Sequence, residues 1–225
     1  MDVGIVGGTG PAGRALAARL AASGKTVILG SRDAARAAGV ANELVERWPA
    51  HKLAISGEGN EMAATAEVVV LATAFDAIVE TAGALASKLK GRVVVSMANG
   101  MVRVGHEFEP IIPARGSIAA TVQAVVPQSR VTAALHHLPA GRFAEIDRPL
   151  EAEVLVCADD DEAADITVDL VESIPGLKGV RCGTLSAATA LEALTAVLVN
   201  VNVRYKVHTT LRLTGFSSTD SGRNK

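Results

Sequence analysis

The sequence predicts an α/β protein of the Rossmann type, with a doubly wound, mostly parallel sheet, a small C-terminal α/β lobe and a long apolar helix. Three observations support this fold class. A short apolar run at the N-terminus leads directly into Gly8, Gly10 and Gly13, at the G-x-G-x-x-G spacing. Apolar runs typical of buried parallel strands then alternate with segments of helical periodicity. Residues 185–205 form the most apolar stretch, which is interrupted by single polar residues.

The glycine-rich segment is the first candidate binding site. Residues 2–6 predict a buried strand, and residues 14–23 predict a helix with Leu16 and Leu20 one turn apart. Glycines at this turn let a dinucleotide pyrophosphate approach the backbone, and the N-terminus of the helix faces it with unpaired N–H groups. The residues predicted to bind the cofactor here are Gly8, Thr9, Gly10, Pro11, Ala12 and Gly13.

The end of the second predicted strand, residues 27–30, indicates which dinucleotide binds. Ser31, Arg32 and Arg36 follow it. An NAD site usually has an acidic residue here for the ribose 2′-hydroxyl, whereas guanidinium groups suit the 2′-phosphate of NADP. Asp33 is the acidic alternative, but its position favours the start of the next helix. We therefore expect NADP(H) as the cofactor.

Two later strand ends are predicted to border the nicotinamide. The interval from residue 33 to residue 96 predicts three helices (33–47, 60–66 and 75–89) and three strands (52–56, 67–72 and 92–96). Ligands of open α/β sheets bind at the carboxyl ends of the strands. Ala72 and Thr73 follow one such strand and Ala98 and Asn99 follow another, so these four residues join the predicted site.

The remainder of the chain supplies the second side of the site. Residues 101–116 have no clear period and predict a long loop, followed by a helix at 117–125 and a strand at 130–135. That strand ends in His136 and His137, of which at most one should face the site, since side chains alternate along a strand. Beyond them the pattern predicts strands at 154–158 and 179–183 and helices at 165–174 and 185–205, with the acidic residues 159–161 capping a helix.

The predicted domain boundaries follow from this order of elements. We assign residues 1–135 to the NADP-binding domain and residues 136–214 to a smaller lobe that carries the second side of the site and an apolar dimer helix. Residues 215–225 are small and polar and predict a disordered tail. The helix 185–205 is apolar over more of its surface than one sheet face can cover, which predicts a homodimer.

Composition excludes several classes of function. A formal charge of −2 and a pI near 6.2 give no electrostatic case for binding nucleic acid or an anionic membrane. Polar residues within 185–205 favour a buried helix over a membrane span. Cys157 and Cys182 match no metal spacing, so no metal site is expected, and two buried thiols suggest a reducing, cytoplasmic location. A first strand at residue 2 leaves no room for a signal peptide.

The sequence also resembles a known family, the NADPH-dependent reductases of coenzyme F420. The likeness is carried by GGTGPAG with GSR downstream, by ALHHLPAGRF at 134–143, by VCADDDEA at 156–163 and by GTLSAATALEALT at 183–195. The resemblance implies a dimer that passes hydride between the nicotinamide C4 of NADP(H) and C5 of the deazaflavin F420, its co-substrate.

The family's site residues map onto several positions of this chain. Thr9 to Ala12, Ser31, Arg32 and Arg36 match its NADP contacts. His136, the candidate catalytic residue, and Leu138 and Ala140 match positions that line the nicotinamide and the deazaflavin. Ser186 and Thr195 match polar positions near the deazaflavin. The chain departs from the family at Thr189, where an arginine is expected, and at Ala193, where a serine is expected; the lost cation predicts weaker F420 binding.

Two other functions remain open from the residues alone. The first is a different NADP-dependent dehydrogenase acting on a small carbonyl or imine, although the helix from Leu185 offers no lysine as general acid before Lys206. The second is a non-catalytic NADP-binding redox sensor, which would bind NADPH without turnover.

Overall fold

The computed structural model describes residues 1–215, so most of the predicted tail, from residue 216, lies outside the described part. The strands of that part are β1 Asp2–Val6, β2 Thr26–Ser31, β3 Ile55–Gly59, β4 Val68–Leu71, β5 Val93–Ser96, β6 Met101–Val104, β7 Glu107–Pro110, β8 Arg130–Ala133, β9 Ala152–Ala158 and β10 Leu177–Gly183. The α-helices are α1 Pro11–Ala22, α2 Ala34–Arg47, α3 Asn60–Ala63, α4 Ile78–Ala84, α5 Ala86–Leu89, α6 Ile118–Val125, α7 Ala140–Phe143, α8 Asp161–Glu172 and α9 Ala188–Tyr205.

Eight strands form one sheet in the order β10-β9-β8-β5-β4-β1-β2-β3. From β3 to β8 all neighbours are parallel. The chain builds outward from β1 through β2 to β3, then returns to the other side of β1 and adds β4, β5 and β8. The strand order therefore reverses between β1 and β4, which is where dinucleotides bind in doubly wound sheets. This architecture confirms the predicted fold class.

The apolar core lies on both faces of the sheet, because successive side chains of a strand point in opposite directions. Val3 and Ile5 of β1 pack on the face that α1, α2 and α8 cover. Val6 and its neighbours on β4 pack on the other face, against α4, α6 and the start of α9. The central strands are buried on both sides, as their unbroken runs of valine predict.

The last two strands extend the same sheet with a change of direction. β9 pairs antiparallel to β8, with Ala133 opposite Cys157, and β10 then pairs parallel to β9. Because β9 runs opposite to β8, its first residues project beyond the carboxyl end of β8. The predicted lobe 136–214 thus shares its sheet with the residues before it, and its treatment as a separate domain remains a prediction.

The predicted long loop at 101–116 is wrong for its first ten residues, which form the β-hairpin β6–β7. Gly105 has φ 61° and is the first of the two turn residues, as a two-residue hairpin with a leading glycine requires. The alternation of Val102, Arg103 and Val104 before this glycine is the pattern that could have predicted it. The hairpin packs on α9, where the amide of Asn200 bonds both the N–H and the C=O of Phe108 at 2.7 and 2.9 Å.

Two predicted helices are interrupted in the structure. The segment 75–89 is divided into α4 and α5 at Leu85, whose φ of −97° and ψ of 4° are not helical. Leu85 at the break and Leu89 at the end of α5 are both buried. The segment 185–205 begins with a 3₁₀ turn, Leu185–Ala187, before α9. By length and composition the stretch from Leu185 to Tyr205 could cross a membrane, but core helices of soluble proteins pass the same test.

Candidate functional site

The glycine-rich turn joins β1 to α1 in the geometry that dinucleotide binding needs. Gly7 takes φ 70°, and its N–H donates to the side-chain Oδ1 of Asn60 at 3.0 Å. Pro11 is the first residue of α1, where a missing N–H costs nothing. Gly13 lets the helix approach the turn, since a Cβ there would stand 2.5 Å from the carbonyl oxygen of Gly8. The predicted residues Gly8, Thr9, Gly10, Pro11, Ala12 and Gly13 therefore form one continuous turn.

Gly10 differs from the other two motif glycines because it faces open space. A Cβ at Gly10 would meet no atom within 4 Å, and its φ of −77° and ψ of 169° are accessible to any residue. The fold itself therefore does not require glycine at this position. Thr9, Gly10 and Pro11 line a cleft of about 450 Å³ between α1, α2 and α7.

The residues predicted to hold the 2′-phosphate lie together at the carboxyl end of β2. Ser31 is buried, and its Oγ accepts from the N–H of Asp33 at 3.2 Å. Asp33 caps α2 by accepting from the N–H of Arg36 at 3.1 Å, as the sequence predicts. The guanidinium groups of Arg32 and Arg36 are exposed and form no ion pair within the described residues. Arg36 also lines the cleft beside Thr9 and Gly10.

Unpartnered polar atoms mark the carboxyl ends of β4, β5 and β8. Thr73 Oγ1, Asn99 Oδ1 and both ring nitrogens of His136 are buried without a hydrogen-bond partner in the described part of the chain. Asn99 Nδ2 donates to the backbone C=O of His136 at 2.9 Å and so connects two of these loops. Ala72 is half-buried and Ala98 is buried beside them. Buried polar atoms in native proteins nearly always have partners, so these atoms are candidates for contact with a ligand or with a buried water.

The two adjacent histidines have different roles in the structure. Nε2 of His137 lies 2.9 Å from the backbone C=O of Glu153, at the start of β9. His136 has 4% of its surface exposed, and burial together with the neighbouring His137 lowers its pKa to about 3. His136 is therefore a neutral imidazole at physiological pH, with one N–H to donate. Burial also lowers the pKa of His137.

A buried arginine that the sequence analysis missed holds the loop after β8 against α1. Arg19 is 4% exposed and donates to the backbone C=O groups of Phe143, Glu145 and Arg148 at 2.8, 2.8 and 2.9 Å. Its guanidinium also stacks over the ring of Phe143, 5.3 Å from the ring centroid. These contacts fix the helix α7, which begins at Ala140. The sequence could have indicated this role, because Arg19 is a single cation on a helix face that is otherwise rich in Ala and Leu.

Leu138 and Ala140 lie where the loop after β8 enters α7, and both are half-buried. Ala140 lines the cleft beside the glycine-rich turn. The structure therefore brings the segment after His136 next to the predicted dinucleotide site. This proximity depends on the packing of α7 against α1.

The predicted residues of α9 are spread more widely. Thr195 is buried one turn beyond Glu192, and its Oγ1 has no hydrogen-bond partner among residues 1–215. The carboxylate of Glu192, also missed in the sequence analysis, accepts from the N–H groups of Ile118 and Ala119 at 2.8 and 3.0 Å and so caps α6. Burial raises the pKa of Glu192, although the two N–H donors oppose that shift. Ser186 is exposed, and its Oγ lies 2.8 Å from Thr184 Oγ1. No hydrogen bond in the described part links Ser186 to the residues around His136.

The acidic residues 159–161 each have a structural partner. Asp160 caps α8 by accepting from the N–H of Ala163 at 2.7 Å, as predicted. Asp159 accepts from the N–H of Leu185 at 2.9 Å, and Asp161 forms an ion pair with Arg181. Within the described residues no group of three or more potential ligands could hold a metal ion. The expectation that both thiols are buried is wrong for Cys182, which is exposed.

The buried, neutral His136 predicts a loss of stability in mild acid. Its pKa is near 6.5 when unfolded and about 3 when folded, so the unfolded chain binds more protons between these values. Stability should therefore fall as pH drops below 6.5, by about 2 kcal/mol from this residue alone at pH 5. Glu192 acts in the opposite direction, because its pKa is raised in the folded protein.

Urea unfolding at a series of pH values measures this effect. His136→Gln should reduce the acid-induced loss of stability, because glutamine does not titrate. His106→Gln, at an exposed turn position of the β6–β7 hairpin, is the matched control. It should lose as much free energy of unfolding in acid as the wild type does. If His136→Gln loses as much free energy of unfolding in acid as the wild type does, His136 is not the buried neutral group that causes this loss.

Comparison with known proteins shows which family this chain resembles. Residues 2–100 match the family described as NADP oxidoreductase, coenzyme F420-dependent. The chain is 33% identical to the F420-dependent NADP reductase of Methanocaldococcus jannaschii, over 92% of this chain and 94% of that protein. It is 31% identical to the enzyme of the same name from Methanothermobacter marburgensis, over 92% of this chain and 95% of that protein.

A solved structure shows the same fold. It comes from Arthrobacter sp. FB24 and superimposes with a TM-score of 0.80 at 23% identity. The superposition covers 95% of this chain and 99% of the other. The identity and coverage of the two archaeal relatives extend the match through β8, the loop after it and α9. The chain therefore belongs to the family of F420-dependent NADP reductases.

Proposed function

We propose that this protein is an oxidoreductase that transfers hydride between NADP(H) and the deazaflavin coenzyme F420. The observation that carries the proposal is the set of unpartnered polar atoms of Thr73, Asn99 and His136 at the carboxyl edge of the sheet, beside the glycine-rich turn. Thr73 follows β4, which borders the place where the sheet reverses its strand order, and Asn99 and His136 follow the next two strands of the sheet, β5 and β8. Membership of the F420-dependent NADP reductase family supplies the identity of the second coenzyme.

The chain's own groups fit an NADP(H) molecule along its length. The turn at Gly10 leaves room for a pyrophosphate, and the N-terminus of α1 faces it with unpaired N–H groups. Arg32 and Arg36 supply free guanidinium groups for a 2′-phosphate. Thr73 Oγ1 and Asn99 Oδ1 are available to the polar amide of a nicotinamide.

Hydride transfer between two planar rings does not require a covalent bond between the protein and either coenzyme. When bound, the nicotinamide and the deazaflavin supply the donor and acceptor carbons. The protein must bring these carbons within about 3–3.5 Å and keep water away. Leu138 and Ala140, which are both half-buried, offer apolar side chains for this purpose. His136, as a neutral imidazole, offers one N–H donor towards charge developing on the deazaflavin.

The decisive experiment is the bleaching of F420 absorbance by NADPH in the presence of the purified protein. We expect reversible reduction of F420, with FMN and FAD as poor substitutes. A small-carbonyl dehydrogenase would instead oxidise NADPH with a carbonyl or imine, and a redox sensor would bind NADPH without turnover. Failure of a protein that demonstrably binds NADPH to reduce F420 would contradict the proposal.

His136→Ala should lower F420 turnover by roughly 10- to 100-fold without abolishing it, because one hydrogen-bond donor contributes only a few kcal/mol. NADPH affinity, measured by fluorescence, should barely change. His106→Ala is the control, since that histidine is exposed on the β6–β7 hairpin. Full turnover in a folded His136→Ala would show that His136 has only a structural role.

The weaker F420 binding expected from Thr189 is likewise a proposal, and Thr189→Arg should make F420 bind more tightly.

We also propose that the protein is a homodimer that associates through α9. One stripe of this helix is apolar and follows helical spacing, with Ala190, Leu194, Val197 and Val201 successively three or four residues apart. Ala190 and Val197 are exposed, and Leu194 and Val201 are half-buried. Val197 is 56% exposed, although it is aliphatic and lies in the middle of the helix. Such a stripe is typical of a surface that a second subunit covers.

Light scattering tests the oligomeric state. We expect a dimer at micromolar concentration and a monomer, or a strongly weakened dimer, for Val197→Glu. Met62→Glu places the same charge on an equally exposed apolar residue of α3 and should remain dimeric. A wild-type monomer would contradict this prediction.

We further propose a cytoplasmic location, without nucleic-acid or membrane partners.

A further inference from the structure

β9 and β10 each carry one cysteine near their carboxyl ends, and the fold brings the two together. Cys157 Sγ and Cys182 Sγ are 3.2 Å apart, although 25 positions separate them in the chain. The pairing register shifts between Arg181 and Gly183, so Cys182 occupies an irregular position of its strand while Cys157 pairs with Gly183. This irregularity directs Cys182 Sγ towards β9, where it also lies 3.5 Å from the backbone C=O of Val156.

The two thiols differ in exposure and in acidity. Cys157 is completely buried, whereas Cys182 is exposed. The hydrogen bond between the thiols stabilises the thiolate of Cys182 and lowers its pKa. The same contact, together with burial, raises the pKa of Cys157. Because the thiolate is the nucleophilic form of cysteine, Cys182 is the thiol that a solution oxidant reaches first.

We propose that Cys157 and Cys182 form a reversible thiol–disulfide modification site that hydroperoxides oxidise, with Cys182 as the reacting thiol and Cys157 as the resolving thiol. In the first step the Cys182 thiolate attacks the peroxide O–O bond and becomes a sulfenic acid, and the protonated leaving oxygen departs as water or an alcohol. In the second step Cys157 loses its proton, its sulfur attacks Cys182 Sγ, and hydroxide leaves as water. The two thiols give up two electrons, which the peroxide accepts.

Little movement is needed for the second step. A disulfide bond is about 2.05 Å long, so the two sulfurs must close by about 1 Å from their present separation. Cys182 lies at the irregular, exposed end of β10, next to Gly183 with φ 130°. A side-chain rotation at this end of the strand can therefore bring the sulfurs together while Cys157 stays in the core.

The site borders the entrance to α9. Three residues after Cys182, the N–H of Leu185 donates to Asp159, which itself follows Cys157 by two residues. A disulfide would therefore add a covalent link beside an existing polar link between β9 and the turn that precedes α9. The proposal rests on these thiol contacts and does not depend on the identity of the hydride acceptor.

Peptide mapping of the full-length protein without reduction tests the proposal. After stoichiometric hydrogen peroxide, we expect an intramolecular Cys157–Cys182 bridge and a mass lower by two hydrogens, both reversed by dithiothreitol. The oxidised protein should also melt at a higher temperature than the reduced protein, because the link constrains the unfolded chain. Two free thiols after this treatment, or a bridge between two molecules, would overturn the proposal.

Single substitutions separate the two roles. In Cys157→Ser the sulfenic acid of Cys182 should persist and be trapped by dimedone, whereas in Cys182→Ser the buried Cys157 should stay reduced. Cys157→Ala repeats the first test with an apolar side chain, in case serine disturbs the core. Two results would overturn the assignment of Cys182 as the reacting thiol. One is oxidation of Cys157 in Cys182→Ser, and the other is the absence of a trapped sulfenic acid in both folded Cys157 variants.

Discussion

NADPH binding is expected to be lost in Gly10→Val while the protein remains folded. The backbone at Gly10 is extended, with φ −77° and ψ 169°, which valine adopts without strain. A Cβ at this position would meet no atom of the described residues within 4 Å, so it would enter the space that we assign to the pyrophosphate. We expect NADPH affinity to fall by at least about 100-fold, which corresponds to about 2.7 kcal/mol.

Fluorescence titration with NADPH measures the affinity, and circular dichroism checks the fold. Gly83→Val is the matched control, because Gly83 is exposed on α4 and a Cβ there also meets no atom within 4 Å. The control should bind NADPH like the wild type. Unchanged affinity in a folded Gly10→Val would remove the glycine-rich turn from the proposed site.

Arg32→Ala is expected to abolish most of the preference for NADPH over NADH. Arg32 and Arg36 have no ion-pair partner among the described residues, and each can form charge-assisted hydrogen bonds to a 2′-phosphate. A contact of this kind contributes roughly 1.5–3 kcal/mol, so each substitution should weaken NADPH binding by about 10- to 100-fold. NADH affinity should not change, because NADH has no 2′-phosphate.

Titration of both cofactors against wild type, Arg32→Ala and Arg36→Ala measures this preference. Arg148→Ala removes an exposed arginine that already pairs with Glu145 and should leave both affinities unchanged. A wild-type protein without preference would contradict the assignment. A parallel loss of NADH affinity in Arg32→Ala would place this arginine on a part of the cofactor common to both.

Local patterns in the sequence were sufficient to predict the fold class and the glycine-rich turn between β1 and α1. The strand β1 and the glycine spacing after it lie within a few residues of one another, and their geometry follows from local steric limits. The order Ser31, Arg32 and Asp33 at the end of β2 likewise predicted that the next helix starts at Asp33, and in the structure Asp33 is the N-cap of α2. Runs of valine in β4 and β5 predicted strands buried on both faces.

Other features arise only when distant segments meet. The contacts of Arg19 with the segment 143–148 bridge more than 120 positions, and the Glu192 carboxylate reaches α6 across more than 70. Composition described Glu192 only as an interruption of an apolar stretch, whereas its N–H partners explain why a carboxylate is tolerated there. In the same way, Cys157 and Cys182 are unrelated in sequence spacing and become neighbours because β10 pairs with β9. Periodicity specifies which face of an element is buried, but the partner on that face depends on strand order and helix packing, which only the tertiary structure decides.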